Sequence, residues 1–247
     1  MAYGGRIFRL EEHLLRLSQS AREIHLSLPV NFNRISKIIT EGISRCGVNN
    51  TTVYLQVTRG VAPRSHPFPT SVPANFFATF REKREITPKV RHRGVSVITT
   101  NDLRWSKCFI KSTALLPNVL ASQKAVKADA FEAIFVTPNG LVREGAASNL
   151  FVVSDKTVRT PAKSDHVLHG ITREVVLECA RQEGYTTFEE KVTLKELRQA
   201  DEVFLTGTTI EVLGVVKVNK ETVNSGMVGP VTKQIFEAFM ALTQSQL

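Results

Sequence analysis

Residues 105–123 read WSKCFIKSTALLPNVLASQ, residues 130–153 read AFEAIFVTPNGLVREGAASNLFVV, and residues 160–176 read TPAKSDHVLHGITREVV. Each of these three stretches contributes one chemical feature. In the first, Lys111 follows an apolar residue and precedes an apolar, helix-like segment. In the second, Glu144 ends a strand-like segment and is followed by glycine and small residues. The third contains GITREVV, a pattern typical of the start of a helix.

A lysine, a carboxylate and a helix N-terminus are together the groups that pyridoxal 5′-phosphate (PLP) requires of a protein. The lysine amine forms a Schiff base with the cofactor. The carboxylate pairs with the pyridine nitrogen, and the free N–H groups and positive dipole end of a helix bind the phosphate. The sequence therefore predicts a PLP site built from Lys111, Glu144 and the helix that follows Gly170.

The composition is that of a soluble globular protein, because 42% of the 247 residues are hydrophobic and 22% are charged. No apolar run is long enough to cross a membrane, and the N-terminus lacks a signal-peptide pattern. The three cysteines are widely spaced and form no metal-ligand pattern, which predicts a reduced, cytoplasmic protein with no metal site. The net charge is +9, but the basic residues are scattered and form no nucleic-acid-binding motif. We therefore expect anionic small molecules as ligands, and neither nucleic acid nor membrane.

Sequence periodicity predicts an irregular alternation of helices and strands. Apolar residues at helical spacing predict helices at 11–26, 33–46, 117–128 and 171–182, with a last helix beginning at Gly229-Pro230. Several strand pairs read as hairpins, including one around Pro138-Asn139-Gly140, and no nucleotide-binding glycine motif is present. We therefore predict an α+β fold with mixed or antiparallel sheets. The polar connector at 100–105 predicts two domains, a smaller one at 1–104 and a larger, PLP-binding one at 105–247.

The N-terminus predicts an incomplete hairpin. Gly4-Gly5 is typical of a turn that leads into a strand, Arg6–Leu10. Only three residues precede this turn, so we expect the strand that would pair with Arg6–Leu10 to be missing.

The chain resembles the fold-type IV PLP enzymes, a group that includes branched-chain aminotransferase, D-amino-acid transaminase and aminodeoxychorismate lyase. The resemblance runs from about Arg6 to the last helix. It is carried by seven stretches in the order of the family: FRLEEHLLRLSQSA, IKSTALLPNVLA, FEAIFV, VREGAASNLFVV, LHGITREVV, ADEVFLTGTT and GMVGPVT.

The resemblance implies a role for each of the candidate residues. Lys111 would form the Schiff base and move the proton, Glu144 would bind the pyridine nitrogen, and Arg16 would bind the phosphate. From spacing alone, Arg16 reads as a surface arginine with its stem on the core. The other cofactor contacts that the resemblance implies are the backbone N–H groups of Ile171 and Thr172, a hydroxyl of Thr208 or Thr209, ring packing by Leu168, and the turn residues Ser148 and Asn149.

The segment VYLQVTRGVAPRSHPFP distinguishes the members of the group. It is similar to D-amino-acid transaminase, in which an arginine and a histidine at the positions of Arg64 and His66 bind the substrate carboxylate. From composition alone, this segment reads as an ordinary proline-rich surface loop. The resemblance implies transamination between a D-amino acid, such as D-alanine, and a 2-oxo acid. Branched-chain aminotransferase, aminodeoxychorismate lyase and a catalytically impaired PLP-binding relative stay open as alternatives.

Two further expectations follow from the resemblance. The family begins with two strands and an RGxxxGDGxxE-type segment that this sequence does not contain, so we expect the N-terminal strands to be missing from the fold. Members of the family are generally dimeric, and we therefore expect a homodimer.

Overall fold

The computed structural model describes residues 1–245 and divides the chain into two compact units. The smaller unit is Met1–Arg84 together with the chain from Thr243, and the larger unit is Glu85–Leu242. The predicted boundary at position 104 differs from this division. β5 (Val95–Asn101), which the sequence analysis assigns to the smaller domain, pairs with strands on both sides in the sheet of the larger unit.

The smaller unit packs two helices against a four-stranded sheet. The sheet order is β2-β1-β3-β4, and all pairs are antiparallel. Isoleucines at helical spacing on the second helix pack with apolar residues of the first helix and of the sheet. The elements of this unit are β1 (Ala2–Tyr3), β2 (Arg6–Ile7), α1 (Leu10–Glu23), α2 (Phe32–Cys46), β3 (Thr51–Thr58) and β4 (Asn75–Glu82).

A short strand precedes the Gly4-Gly5 turn and pairs with β2, contrary to the prediction that this partner strand is missing. β1 is only two residues long, yet it pairs with β2 across Gly4-Gly5 and with β3 on its other side. The predicted strand Arg6–Leu10 is shorter, because Leu10 already belongs to α1. A strand of two residues shows no alternation that sequence periodicity can detect.

The larger unit is built on a mixed sheet of ten strands. Its order is β10-β9-β8-β12-β13-β5-β6-β7-β11, and β14 pairs with β13. The pairs β9–β10, β5–β13 and β5–β6 are parallel, and the others are antiparallel. Besides β5, the elements are α3 (Pro88–Arg93), α4 (Leu116–Lys127), β6 (Glu132–Val136), β7 (Leu141–Gly145), β8 (Asn149–Ser154), β9 (Thr157–Pro161), α5 (Ile171–Gln182), β10 (Thr186–Glu190), β11 (Val192–Thr193), α6 (Leu194–Gln199), β12 (Glu202–Gly207), β13 (Glu211–Val218), β14 (Glu221–Thr222) and α7 (Pro230–Ser245). The α+β class with mixed sheets is confirmed.

The sheet of the larger unit curls on itself. β7 and β8 are five places apart in the sheet order, which is roughly 24 Å in a flat sheet. Only residues 146–148 connect them, and so few residues span about 14 Å at most. The curl therefore brings the end of β7, with Glu144, next to the start of β8, with Asn149. Among residues 1–245, no helix is both long and apolar enough to cross a membrane.

Candidate active site

The centre of the site is the carboxylate of Glu144, near the end of β7. Glu144 is only 4% exposed. Arg104 Nη1 donates to its Oε1 at 2.5 Å, and the backbone N–H of Leu168 donates to both carboxylate oxygens at 3.0 Å. Asn149 Nδ2 donates to Oε2 at 2.9 Å and also to the carbonyl of Leu168 at 2.9 Å. The predicted residues Glu144, Asn149 and Leu168 therefore form one hydrogen-bonded group.

Arg104 belongs to this group, although the sequence analysis does not single it out. Its Nε and Nη2 donate to the two oxygens of Asp102 at 2.9 Å each, which is a bidentate ion pair. Its Nη2 also donates to the carbonyl of His166 at 3.0 Å, and its guanidinium lies 4.2 Å from the ring centre of Phe135. The signal in the sequence is weak, because Asp102 and Arg104 lie in a polar connector that reads as a linker.

Burial and charge act in opposite directions on this ion pair. Burial raises the pKa of Glu144 to about 7, while the Arg104 guanidinium and the Leu168 N–H oppose that rise. Burial would lower the pKa of Arg104, but Asp102 and Glu144 overcome this effect and raise it. Arg104 thus stays charged. Its positive charge limits the rise in the pKa of Glu144, so that the carboxylate can ionise near neutral pH.

The turn between β7 and β8 is held by a second buried carboxylate. Glu132 Oε2 accepts hydrogen bonds from the backbone N–H of Ala147 at 3.0 Å and from the hydroxyl of Ser148 at 3.1 Å. Burial raises the pKa of Glu132, and these donors oppose it. The sequence predicts Ser148 near the cofactor. Its hydroxyl donates to Glu132, so within the described residues it orders the turn that carries Asn149.

The helix α5 begins beside this group. Its first residues are Ile171 and Thr172, and no side chain caps its N-terminus at Gly170. A Cβ on Gly170 would lie 2.0 Å from Asn149 Oδ1, so only glycine permits this approach. The N–H groups of the first turn have no acceptor within the helix. They are therefore suited to an anion, as the sequence predicts.

Lys111 lies on the segment that leads from β5 to α4 and is exposed. The neighbouring Ile110 is 4% exposed and anchors this segment. Phe109 N–H donates to the carbonyl of Asp165 at 3.3 Å, and its ring stacks on His169 with the ring centres 6.1 Å apart. The segment that carries Lys111 is therefore attached to the segment that leads into α5.

Cys108 is not an activated thiol. Its Sγ donates to the carbonyl of Trp105 at 3.1 Å, and burial raises the pKa of the thiol to about 11. The thiol is therefore protonated at neutral pH.

Thr208 and Thr209 lie on the turn between β12 and β13. Thr206, at the end of β12, is a residue that the sequence analysis does not single out. It is in register with Asn149, and its hydroxyl is buried without a hydrogen-bond partner among residues 1–245. The end of β12 therefore presents one buried, unsatisfied hydroxyl beside the start of β8.

The other candidates lie in the smaller unit. Arg16 is on α1, and burial lowers the pKa of its guanidinium to about 10. Arg64 and His66 lie on the loop between β3 and β4, and both are exposed. Neither makes a hydrogen bond or an ion pair within the part of the chain that the structure describes.

The chain is similar to several known proteins. It is 38% identical over 244 residues to D-alanine aminotransferase of Staphylococcus epidermidis, in an alignment that covers 99% of this chain and 86% of that protein. It is 40% identical over 234 residues to D-alanine aminotransferase of Bacillus licheniformis, with 94% and 82% of the two chains covered. The structure matches the T.th. branched-chain amino acid aminotransferase with pyridoxamine 5′-phosphate at a TM-score of 0.90 and 27% identity, over 97% of this chain and 80% of that one.

The family model of Amino-transferase class IV matches residues 1–218. This match covers most of the chain and includes every candidate residue above. The chain therefore belongs to the class IV aminotransferase family and is a PLP-dependent aminotransferase.

Proposed function

We propose that this enzyme moves an amino group between a D-amino acid, such as D-alanine, and a 2-oxo acid. The observation that carries the proposal is 38% identity over nearly the whole chain to a D-alanine aminotransferase. The branched-chain enzyme that the fold matches at a TM-score of 0.90 is 27% identical. The exposed Arg64 and His66, which have no partners within residues 1–245, support a substrate-carboxylate role for this pair.

The residues of the Glu144 group fit a PLP ring and its phosphate. A buried carboxylate that Arg104 keeps anionic is suited to a protonated pyridine nitrogen. The uncapped N-terminus of α5 offers the N–H groups of Ile171 and Thr172 to a phosphate. The roles of Leu168 at the ring, of Thr208 or Thr209 at the phosphate and of Arg16 at the phosphate remain proposals from the sequence.

The cofactor supplies an electron sink for the negative charge that forms at the substrate α-carbon. Lys111 would hold the cofactor through its amine, and its Nζ would take the proton from the substrate α-carbon. This step requires the neutral form of the Lys111 amine. In its ionised form, Glu144 would pair with the ring nitrogen and favour the protonated state of that nitrogen.

The proposed selectivity for D-amino acids follows from two fixed points on the substrate. Arg64 grips the carboxylate through its planar pair of donors, and His66 adds a third donor. With the carboxylate and the amine both held, only one enantiomer directs its α-hydrogen toward Lys111. The side chain of the other enantiomer would occupy the place of that hydrogen.

We also propose a homodimer in the cytoplasm. Leu116, Val119, Leu120 and Val126 fall on one face of α4 and are 69, 59, 56 and 65% exposed. Exposing four large apolar side chains on one helix face to water is unfavourable in free energy. A second copy of the chain would cover this face. Cys46, Cys108 and Cys179 form no disulfide bond within residues 1–245, which is in keeping with a reducing compartment.

The experiment that tests the substrate is half-transamination of the PLP-loaded protein, followed by absorbance as the pyridoxal form converts to the pyridoxamine form. We expect D-alanine to drive the conversion and L-leucine to leave the spectrum unchanged. Lys111→Ala is the control, since it should bind PLP without converting it. Conversion by L-leucine alone would establish the branched-chain alternative. A spectrum that no amino acid changes would establish the catalytically impaired relative, and a response to aminodeoxychorismate would identify the lyase.

A further inference from the structure

Arg59 connects the end of helix α1 to the loop that carries Arg64 and His66. It directly follows β3, and its side chain is half-buried. Its Nη1 donates to the carbonyl of His25 at 2.9 Å, and its Nη2 donates to the carbonyl of Ile24 at 2.5 Å. These carbonyls follow the last residue of α1, where a helix has unsatisfied acceptors and the negative end of its dipole. A guanidinium is the group that matches both features.

The loop that carries Arg64 and His66 also contacts Arg59, through a ring that covers one face of the guanidinium. The ring centre of Phe68 lies 3.6 Å from Arg59 Cζ, which is a close cation–π contact. The ring of His25 lies 6.5 Å from that of Phe68, on the side of α1. Phe68 is 56% exposed, so burial alone does not hold it in place. The close contact with Arg59 therefore helps to hold Phe68 in place, and Phe68 lies two residues after His66.

The base of the loop is closed by a second contact. Gly60 has φ of 101°, and a Cβ at this position would lie 2.3 Å from the carbonyl oxygen of Pro73. The two ends of the loop thus approach each other closely at Gly60 and Pro73, and the contact between Arg59 and Phe68 holds the segment between them. Three prolines lie between these two ends, in the sequence VAPRSHPFPTSV, and they further restrict the backbone.

We propose that Arg59 is a positioning residue for the substrate carboxylate: it holds the loop of residues 61–72 in one conformation against α1, so that Arg64 and His66 present their donors together. This inference rests on the proposed function, in which Arg64 and His66 bind the carboxylate. Arg64 and His66 make no hydrogen bond of their own within residues 1–245, so the contacts of Arg59 and Phe68 fix their place.

Two variants separate this role from general stabilisation of the fold. Arg59→Gln removes the charge and the fork of donors, and Phe68→Leu keeps an apolar side chain but removes the ring. Arg59→Lys keeps the positive charge and N–H donors but loses the planar fork of the guanidinium, so it should recover part of the function. The matched control is Arg22→Gln, which removes an exposed arginine from the last turn of α1.

The measurements are steady-state kinetics with D-alanine on the PLP-loaded enzyme, amide hydrogen exchange of residues 61–72, and the thermal midpoint. We expect Arg59→Gln to raise KM about tenfold, as for the loss of a cation–π contact and of charge-assisted hydrogen bonds, and to leave kcat within about twofold. Exchange of the loop amides should rise in Arg59→Gln and Phe68→Leu and stay at the parent level in Arg22→Gln.

Arg64→Ala, measured alongside, distinguishes failure of this inference from failure of the proposed function. If Arg64→Ala leaves KM unchanged, the loop does not bind the carboxylate, and the part of the proposed function that assigns carboxylate binding to Arg64 and His66 is wrong. If Arg64→Ala raises KM and Arg59→Gln does not, only the positioning role is wrong. Unchanged amide hydrogen exchange of the loop in Arg59→Gln would also overturn the positioning role. So would a fall in both kcat and the thermal midpoint with no change in KM. The double variant should raise KM little more than Arg64→Ala alone, because both changes act on one contact.

Discussion

At the scale of single residues, the site depends on one arginine between two carboxylates. Arg104 and Glu144 have side chains that are 4 and 5% exposed, and Asp102 completes the group at 10%. Ions removed from water cost several kcal/mol each unless their charges and hydrogen bonds are satisfied. With two carboxylates around one guanidinium, the group has a net charge of about −1 when both acids are ionised. It is therefore suited to a bound cation, such as a protonated pyridine ring.

Replacing Arg104 by Gln should move the pH dependence of the enzyme. Burial already raises the pKa of Glu144 to about 7, and the loss of the neighbouring positive charge should raise it further, by about 1–3 units. In the proposed function Glu144 acts as the anion, so we expect activity to fall as pH drops through this pKa. The acidic limb of the kcat profile should therefore shift to higher pH. Arg159→Gln, which removes an arginine paired with Glu196 elsewhere in the larger unit, is the control, and an unmoved limb in Arg104→Gln would contradict the role.

At the scale of elements, helix α7 begins on a carboxylate from β12. Glu202 accepts hydrogen bonds from the backbone N–H of Val231 at 2.9 Å, and from the N–H and hydroxyl of Thr232 at 2.8 and 2.7 Å. Glu202 is 7% exposed. An anion at a helix N-terminus satisfies free N–H groups and complements the dipole. This contact fastens the last helix to the sheet.

Glu202→Gln should destabilise the larger unit without changing the site. The amide has one acceptor oxygen, and its NH₂ group would face the N–H donors of α7, so we expect a loss of about 2 kcal/mol in the free energy of unfolding. Denaturant unfolding checks the value. Glu221→Gln is the matched control, because Glu221 is 57% exposed and its carboxylate lies 3.5 Å from Arg198, and it should change stability by less than about 0.5 kcal/mol. Equal stability of the two variants would mean that Glu202 does not hold α7.

At the scale of the whole molecule, helix α4 has two different faces. Ala121 and Ala125 are buried against the sheet, where Ala133 and Phe135 of β6 pack with them. The opposite face carries the large apolar residues, so the pattern is the reverse of that of an ordinary surface helix. This reversal is what a helix needs if its outer face is covered by another chain.

Leu120→Glu should weaken the proposed dimer. A carboxylate placed in an apolar interface would cost about 3 kcal/mol, which corresponds to roughly a 100-fold weaker dimer. Sedimentation velocity over a range of concentrations should show a dimer for the parent and a monomer for the variant. Met227→Glu is the control, because Met227 is 71% exposed but lies outside α4, and it should remain dimeric. A monomeric parent, or an unchanged Leu120→Glu, would rule out this face as the interface.

Much of the fold can be predicted from the sequence. In helices of more than one turn and strands of more than a few residues, the apolar residues recur at a regular spacing that the sequence shows. Isoleucines at helical spacing indicate α2, and the structure places that helix at Phe32–Cys46, within one residue of the prediction at its start. The capping box of α6, formed by Thr193 and Glu196, is also a local pattern. Lys111, Glu144 and the start of α5 stand out because each lies in a recognisable local context.

Tertiary structure alone decided what surrounds those residues. Arg104 and Glu144 are 40 positions apart, and Arg91 and Glu211, which form a partly buried ion pair, are 120 apart. Side-chain contacts over such distances leave no periodicity in the sequence, because they depend on the order and curl of the strands. The same holds for β1, whose two residues become a strand only because β2 and β3 lie on either side of it. The sequence by itself determined the class of the fold and predicted the lysine, carboxylate and helix start of the proposed site, whereas the contacts that set the charge and position of the carboxylate were decided by packing between distant segments.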